Sequence, residues 1–152
     1  MDKTEVLKNT EIFSGLTKEE LTLLEGIAGS KEYDENTEIF HEGDKSQEMY
    51  ILLEGRVIIE IQLKLQSEKA AVHTVSEGQV FGEVALVDGE PRSATATTAK
   101  SSKLLVIKKE DLDRIIESSP RIGYQILKNF SKILCSRVRK TTRELRSSLM
   151  FN

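Results

Sequence analysis

A nine-residue stretch of alternating sequence, VIIEIQLKL at residues 57–65, is the feature that most constrains how this chain can fold. Side chains two residues apart on a strand point to the same face of a sheet, so every second residue here contributes to one apolar face. The stretch therefore predicts a half-buried β-strand. Its inward set is Val57, Ile59, Ile61, Leu63 and Leu65, and its outward set is Ile58, Glu60, Gln62 and Lys64.

Other short apolar runs lie on both sides of this strand. Turn-forming sequences such as DEN, EGDKSQ, SEK and SEG separate them. Many short strands joined by close turns are typical of a sandwich or a barrel-like jelly roll, which we expect over about residues 33–108. The runs are Ile39–Phe40, Met49–Leu53, AAVHTV at 70–75, SATATTA at 93–99 and KLLVIK at 103–108.

Helical sequence flanks the strands on both sides. About residues 9–32 form a helical entry, in which Thr17 and Glu20 have the spacing of a capping box and Gly29 is expected to end the helix. About residues 109–150 form two closing helices. Ser119 is the expected N-cap of the last helix, with Pro120 at its first position. This helix is predicted to be roughly 30 residues and ~45 Å long.

The composition is that of an ordinary globular protein, with 38% hydrophobic and 31% charged residues, and we expect residues 1–152 to form one domain. The sequence contains no apolar run near the ~18 residues that a membrane span requires. The N-terminus has no apolar signal core, so we expect a cytoplasmic protein. A single cysteine, Cys135, fits a reducing compartment and is expected to be a structural thiol.

Charge is distributed unevenly along the chain. Residues 1–120 carry 14 basic and 24 acidic residues, a balance of −10, whereas residues 121–152 carry 8 basic residues and one acid, a balance of +7. The basic end is either a solvated helix face that complements an acidic body or a docking surface for an acidic partner or nucleic acid.

The sequence offers no catalytic or metal-binding set. His41 and His73 are the two histidines, and they do not supply the several histidines and carboxylate that a metal site in a jelly roll needs. We identify no Ser/His/Asp or Cys/His combination. The chain is therefore not expected to be an enzyme or to hold a prosthetic group or metal.

The stretch FGEVALVDGEPRSATA at residues 81–96 combines several features of an anion site. Gly82 allows the backbone to come close to a ligand, and EVAL can form a helical turn whose free N–H groups attract an anion. Arg92 adds a charged fork that matches phosphate oxygens. Glu83 would repel a phosphate, so it suits a neutral hydroxyl donor such as a ribose 2′-OH.

These sixteen residues resemble the phosphate-binding cassette of cyclic nucleotide-binding domains, in which F-G-E-aliphatic-A-L precedes P-R-small-A-T. Upstream, IFHEGDKSQEMYILLEGRVII is similar to the family's strands and turns, and NTEIFSGLTKEELTLLE is similar to its helical entry. The resemblance covers roughly Asn9 to Leu149. It implies a mainly β jelly roll with an N-terminal helix and two C-terminal helices.

The resemblance also implies roles for individual residues. Arg92 would pair with the cyclic phosphate, Glu83 would bind the ribose 2′-OH, and backbone N–H groups of the cassette would cap phosphate oxygens. In catabolite-activator-like members, adjacent hydroxyl residues of the last helix reach the adenine. The implied ligand-binding residues are Gly82, Glu83, Val84, Ala85, Arg92, Ser93, Thr141, Thr142, Ile59 and Val72.

The last helix carries a 4-3-4-3 pattern typical of one seam of a short coiled coil. The seam predicts a parallel homodimer, in agreement with the resemblance. Only six residues follow Arg146, so we expect no helix-turn-helix domain and no direct DNA binding. The seam residues are Leu134, Val138, Thr141, Leu145 and Ser148.

Together these features predict a sensor module that binds a 3′,5′-cyclic nucleotide, most simply cyclic AMP, and acts on an unidentified downstream protein. Cyclic GMP is the first alternative, because the hydroxyl of Ser93 after the cassette arginine serves guanine recognition in some members of the family. The second alternative is a ligand-free scaffold for protein assembly.

Overall fold

The computed structural model describes residues 2–63 and 68–151. The helices of this part of the chain are α1 (Lys3–Asn9), a 3-10 turn (Glu11–Phe13), α2 (Lys18–Ile27), α3 (Val84–Asp88), α4 (Lys109–Ser118) and α5 (Pro120–Met150). The strands are β1 (Gly29–Tyr33), β2 (Glu38–Phe40), β3 (Glu48–Glu54), β4 (Val57–Gln62), β5 (Lys69–Val75), β6 (Val80–Phe81), β7 (Thr95–Thr98) and β8 (Ser102–Lys108).

The eight strands of the described residues form two antiparallel sheets, with strand orders β1-β8-β3-β6 and β2-β7-β4-β5. Residues of both sheets meet in one buried cluster between them, which is the core of a jelly roll. The predicted fold class, mainly β with flanking helices, is confirmed. The cluster consists of Tyr50, Leu52, Val57, Val75, Phe81, Ala96, Leu104 and Val106.

Strands β3 and β8 are buried on both faces, which explains why their sequences are nearly continuous apolar runs. Alternate residues such as Leu52 and Leu104 pack between the sheets. Their neighbours, such as Ile51 and Leu105, face the opposite way and pack under the helices. The period-2 geometry of a strand thus lets the same two strands serve both cores.

The alternating stretch at 57–65 forms a shorter and less regular strand than predicted. Strand β4 ends at Gln62, and its pairing with β5 shifts register between Ile59 and Glu60. Val57 is fully buried, the four residues from Ile58 to Ile61 are half-buried on both faces, and Gln62 is exposed. Leu63 lies beyond the strand, and the predicted positions of Lys64 and Leu65 fall outside the described residues.

The helical entry is confirmed in part. The Thr17 N–H donates to the Glu20 carboxylate at 2.9 Å and the Glu20 N–H donates to the Thr17 hydroxyl at 3.2 Å, as a capping box requires. The helix ends before Gly29, at Ile27, and Gly29 instead begins β1. Helix α1, which the sequence analysis did not predict, is capped by the Asp2 carboxylate.

The last helix is divided into an anchored half and a projecting half. Its first ten or so residues bury Ile122, Ile126 and Phe130 against the core under the strands. The buried Asn129 amide donates to two backbone carbonyls of the N-terminal turn, Ile12 O at 3.0 Å and Ser14 O at 2.7 Å. Every residue from 134 to 150 is exposed, so the second half extends from the body.

Among the described residues, no helix has both the length and the apolar run that crossing a membrane would need. The 31-residue helix α5 is long enough, but its sequence is too polar.

Candidate functional site

The cassette forms the predicted turn between β6 and β7. Gly82 follows β6 with a φ of 74°, and α3 begins two residues later, at Val84. The carboxylate of Asp88 accepts from the Glu90 N–H at 2.9 Å, and this local bond helps the chain to reverse direction. The reversal brings Arg92 back under Gly82.

Backbone bonds tie Arg92 to the turn after β2. The Arg92 N–H donates to the Asp44 carbonyl at 2.8 Å, and the Gly43 N–H donates to the Arg92 carbonyl at 2.8 Å. The turn at 42–44 and the segment at 90–92 therefore lie side by side. These two hydrogen bonds fix the backbone position from which the Arg92 side chain extends.

The Arg92 side chain is buried, with 5% of its surface exposed. Its Nη1 donates to the Gly82 carbonyl at 2.7 Å and its Nη2 donates to the Glu48 carbonyl at 2.6 Å. Its Nε is also buried and has no hydrogen-bond partner within the described residues. Because a guanidinium has five N–H donors, these two bonds leave donors available for an anion.

Arg92 keeps its positive charge without a paired carboxylate. Burial lowers the pKa of the guanidinium, since the charged form is poorly solvated there. Tyr50, Glu48 and Asp44 act in the opposite sense and raise this pKa, but neither carboxylate forms an ion pair with Arg92 in the described part of the chain. The site thus holds a buried cation whose nearest neighbours are two backbone carbonyls and the rings of Phe40 and Tyr50.

Glu83 lies beside this cation and is paired with the last helix. One carboxylate oxygen of Glu83 accepts from Arg137 Nη2 at 2.9 Å. The Glu83 side chain is 7% exposed and that of Arg137 is 53% exposed. A partly exposed arginine of α5 therefore reaches into the body and neutralises a buried acid of the cassette.

A cavity of about 1190 Å³ surrounds these groups and extends to the N-terminal turn. It is somewhat larger than the ~300–1,000 Å³ that is common for ligand pockets. Arg137 and Lys140 of α5 also line it, on the side of the projecting helix half. The predicted site residues that line it are Ile59, Gly82, Glu83, Val84, Arg92 and Ser93.

Val72 does not take the place predicted for it. Its side chain is 55% exposed and does not line the cavity. In the antiparallel pair β4–β5, Ile59 lies directly opposite His73, and His73 lines the cavity beside it. Residues opposite each other on paired strands share a face, so the adjacent Val72 faces outward.

Thr141 and Thr142 do not reach the cavity within one chain. Both are exposed, and their hydroxyls donate to carbonyls of their own helix, Arg137 O and Val138 O, each at 2.9 Å. Thr141 lies one turn beyond Arg137, whose side chain does reach the site.

The backbone of Ala85 belongs to α3, which is the helical turn that the sequence EVAL predicts.

Two other sequence expectations concern residues away from this site. Cys135, expected to be a structural thiol, is instead exposed because the second half of α5 projects from the body. The His41 ring pairs with the Glu38 carboxylate at 2.7 Å. Residues 2–63 and 68–151 contain no group of three metal-ligating side chains that could hold an ion.

Sequence reasoning missed three residues that shape the site. Arg137 carried a usable signal, because it stands four residues before Thr141 and so shares its helix face. Phe40 and His73 carried none, since their place depends on which strands pair and in what register. Strand pairing between distant residues cannot be predicted from local sequence patterns.

We predict that glycine is needed at position 82 for two reasons, the positive φ of its backbone and the close approach of the Arg92 guanidinium. A Cβ at Gly82 would lie 2.7 Å from Arg92 Nη1, whereas a Cβ at Gly78, which also has a positive φ, would meet nothing within 4 Å. Gly78→Ala should lower the free energy of unfolding by about 1 kcal/mol through backbone strain. Gly82→Ala should lower it by about 2–4 kcal/mol, because Arg92 must also move. Equal losses in urea unfolding would contradict the contact.

Comparison with known proteins agrees with this geometry. The family described as "Cyclic nucleotide-binding domain" matches residues 30–119. The chain is 28% identical over 139 residues to the Cyclic AMP receptor protein of Thermus thermophilus, covering 91% of this chain and 62% of that protein. It is 28% identical over 115 residues to a cGMP-dependent protein kinase of Eimeria tenella, covering 76% of this chain and 11% of that protein.

The crystal structure of the N-terminal domain of a transcriptional regulator from Streptomyces coelicolor A3(2) has a similar fold. It is 26% identical, has a TM-score of 0.77, and the match covers 92% of this chain and 94% of that one. The chain spans 62% or less of the length of the two curated relatives named above. With more than half of its residues matched by the family, the chain belongs to the cyclic nucleotide-binding domain family.

Proposed function

We propose that this chain is a non-catalytic cytoplasmic sensor module that binds cyclic AMP in the cassette and relays binding through α5. The observation that carries the proposal is the buried Arg92, which keeps its charge unpaired inside a cavity next to Glu83. Burying an unpaired cation costs several kcal/mol unless other groups compensate it. A monoanionic cyclic phosphate in the same cavity supplies that compensation.

The phosphate and the ribose would contact different parts of the cassette. Arg92 would donate to phosphate oxygens through the donors that the Gly82 and Glu48 carbonyls leave unused. The backbone N–H groups of Ala85 and Ser93 would cap the remaining oxygens. Glu83 would accept from the ribose 2′-OH, an assignment supported by the burial of its carboxylate in the cavity wall.

The relay would operate through the ion pair between Glu83 and Arg137. A ribose hydroxyl that binds Glu83 changes the surroundings of the one contact by which the projecting half of α5 reaches this acid. The first half of the helix is held by Asn129, so a changed contact at Arg137 would favour a different position of the second half. Ligand would then shift the population of helix positions, and a partner protein would recognise the favoured one.

The base would lie between the strands and the last helix. Ile59 and His73 line that part of the cavity on β4 and β5. Thr141 and Thr142 would contact the adenine edge from α5, with at least one of them supplied by a second copy of the chain. The relative named as a cyclic AMP receptor supports cyclic AMP, whereas the relative named as a cGMP-dependent kinase and the hydroxyl of Ser93 keep cyclic GMP as the alternative.

The decisive experiment is a calorimetric titration of the protein with cyclic AMP and cyclic GMP. We predict that cyclic AMP binds more tightly and that Arg92→Ala lowers its affinity by roughly 30- to 4,000-fold, as expected when one partner of a desolvated charge pair is lost. The far-ultraviolet circular dichroism of the variant should match that of the parent. An affinity within threefold of the parent would contradict the cassette assignment.

The same titration separates the alternatives. Tighter binding of cyclic GMP would favour the alternative hypothesis that the chain is a cyclic GMP sensor in which the Ser93 hydroxyl contacts the guanine. Heat from neither nucleotide would favour the ligand-free scaffold. Parent protein should be stripped of any co-purified nucleotide by unfolding and refolding before measurement, so that an occupied site is not mistaken for an inert one.

The threonines should govern base selectivity and not phosphate binding. A hydroxyl hydrogen bond contributes only about 0.5–1.5 kcal/mol net, so we predict that Thr141→Val with Thr142→Ala lowers cyclic AMP affinity roughly 10-fold. Cyclic GMP affinity should change little. Competition titrations with both nucleotides test this, and equal losses for the two would remove the threonines from base recognition.

The exposed seam of α5 should pair with its twin in a parallel dimer. Leu134, Val138 and Leu145 lie on it and are 37–65% exposed, which leaves an apolar stripe along the projecting half of the helix. We predict that Val138→Asp weakens the dimer by at least about 100-fold, because two carboxylates would be buried against each other. Ser136→Asp, outside the seam, is the matched control. Light scattering at micromolar concentration measures both, and a monomeric parent with ligand present would rule out the dimer.

A further inference from the structure

An aromatic cluster lies directly under the cassette arginine. The Arg92 guanidinium carbon is 4.1 Å from the centroid of the Phe40 ring and 5.8 Å from that of Tyr50. The rings of Phe40 and Tyr50 are stacked with centroids 5.9 Å apart. Phe81, which precedes Gly82, stacks on Tyr50 at 5.2 Å and completes the cluster.

The guanidinium is held in three directions by these contacts. Two hydrogen bonds to the Gly82 and Glu48 carbonyls act in the direction of its N–H groups. The Phe40 ring supports the guanidinium from its face. Phe40 belongs to β2 of one sheet, whereas Glu48 and Tyr50 belong to β3 of the other, so the arginine is held across the gap between the sheets.

None of these anchors removes the arginine's charge. A carboxylate would hold a guanidinium as firmly, but it would also cancel the field that attracts an anion. Carbonyl dipoles and the negative face of an aromatic ring compensate for lost solvation while the net charge stays +1. Such anchors suit an arginine whose partner is a ligand and not a neighbouring side chain.

We propose that Phe40 is a positioning residue for the anion site: its ring holds the Arg92 guanidinium in the orientation that presents its free donors to the cyclic phosphate. This inference rests on the proposed function for the identity of the anion, but the contact between Phe40 and Arg92 can be tested without any nucleotide. The Tyr50 ring is 1.7 Å farther from the guanidinium than the Phe40 ring, so Phe40 provides the closer ring face.

If Phe40 served only to pack the core, its variants would behave differently from those of a positioning residue. Variants of Phe40 and Phe81 separate the two roles. Phe40→Leu removes the ring face but keeps an apolar side chain of similar volume, and Phe40→Tyr restores an aromatic face. Phe81→Leu makes the same change in the same cluster, in a ring that does not lie under the guanidinium. All variants should first be shown to be folded by circular dichroism.

The first measurement is nuclear magnetic resonance of the Arg92 Nε–H in protein carrying ¹⁵N-labelled arginine, without nucleotide. This group is buried, so its proton should exchange slowly, and its signal is identified by its loss in Arg92→Lys. A proton over a ring face is shifted upfield. We expect Phe40→Leu to abolish that shift and to speed exchange at least about 5-fold, with Phe40→Tyr close to the parent. An unchanged shift in Phe40→Leu would overturn the proposal.

The second measurement is calorimetric titration with cyclic AMP. We expect Phe40→Leu to lower affinity roughly 5- to 30-fold, and Phe40→Tyr to return it to within about threefold of the parent. The same substitutions are then made in Arg92→Lys, which lacks the planar fork. There Phe40→Leu should lower cyclic AMP affinity by less than about twofold, whereas Phe81→Leu should lower it by the same factor as in the parent. Additive effects of Phe40→Leu and Arg92→Lys would show simple packing and overturn the proposal.

The two measurements also separate this inference from the proposed function. If the parent protein binds no cyclic nucleotide, the proposed function fails, and the resonance data still decide whether Phe40 positions Arg92. If the parent binds cyclic AMP but the Phe40 variants behave like Phe81→Leu in both measurements, the proposed function stands and only the positioning role is lost.

Discussion

Burying the charge of Arg92 with no paired carboxylate among residues 2–63 and 68–151 is the constraint on which the rest of the site depends. A buried cation is tolerated only where other groups replace water around it. Here the Gly82 carbonyl, the Glu48 carbonyl and the Phe40 ring do so. Each of them comes from a different strand or turn, so the pairing of the two sheets and the positive φ of Gly82 are conditions for the arginine to lie where it does.

The second half of α5 contacts this site through Arg137. Its residues are exposed, and it carries an apolar seam with Arg137 at the edge of that seam, directed to Glu83. This helix half is attached at one end and contacts the cassette through the ion pair between Arg137 and the buried Glu83. Separating that pair would leave a buried carboxylate unpaired, so the helix half would change position at little cost only when another donor binds the acid. Its anchored half, fixed by the buried Asn129, supplies the rigid point against which that motion would occur.

Much of this architecture could be predicted from sequence, and the errors have a common cause. The capping box at Thr17 and the start of the last helix at Pro120 are local features, and each was found where it was expected. The exchange of Val72 for His73 and the role of Phe40 follow from strand register, which is set by contacts between distant residues. The register shift between β4 and β5 interrupts an alternation that looked regular in sequence.

The arrangement implies a conflict between stability and binding. An apolar side chain at position 92 would avoid the cost of desolvating a cation, and buried charges are often neutral or unfavourable for stability when compared with well-packed apolar residues. Under the proposed function, keeping the arginine lowers the stability of the fold and provides an anion site that is already desolvated and oriented. An anion that binds only the folded chain stabilises it by an amount that grows with the logarithm of its concentration relative to its Kd, so ligand would offset the cost of the arginine. Stability of the fold and occupancy of the site are in this way linked through one side chain.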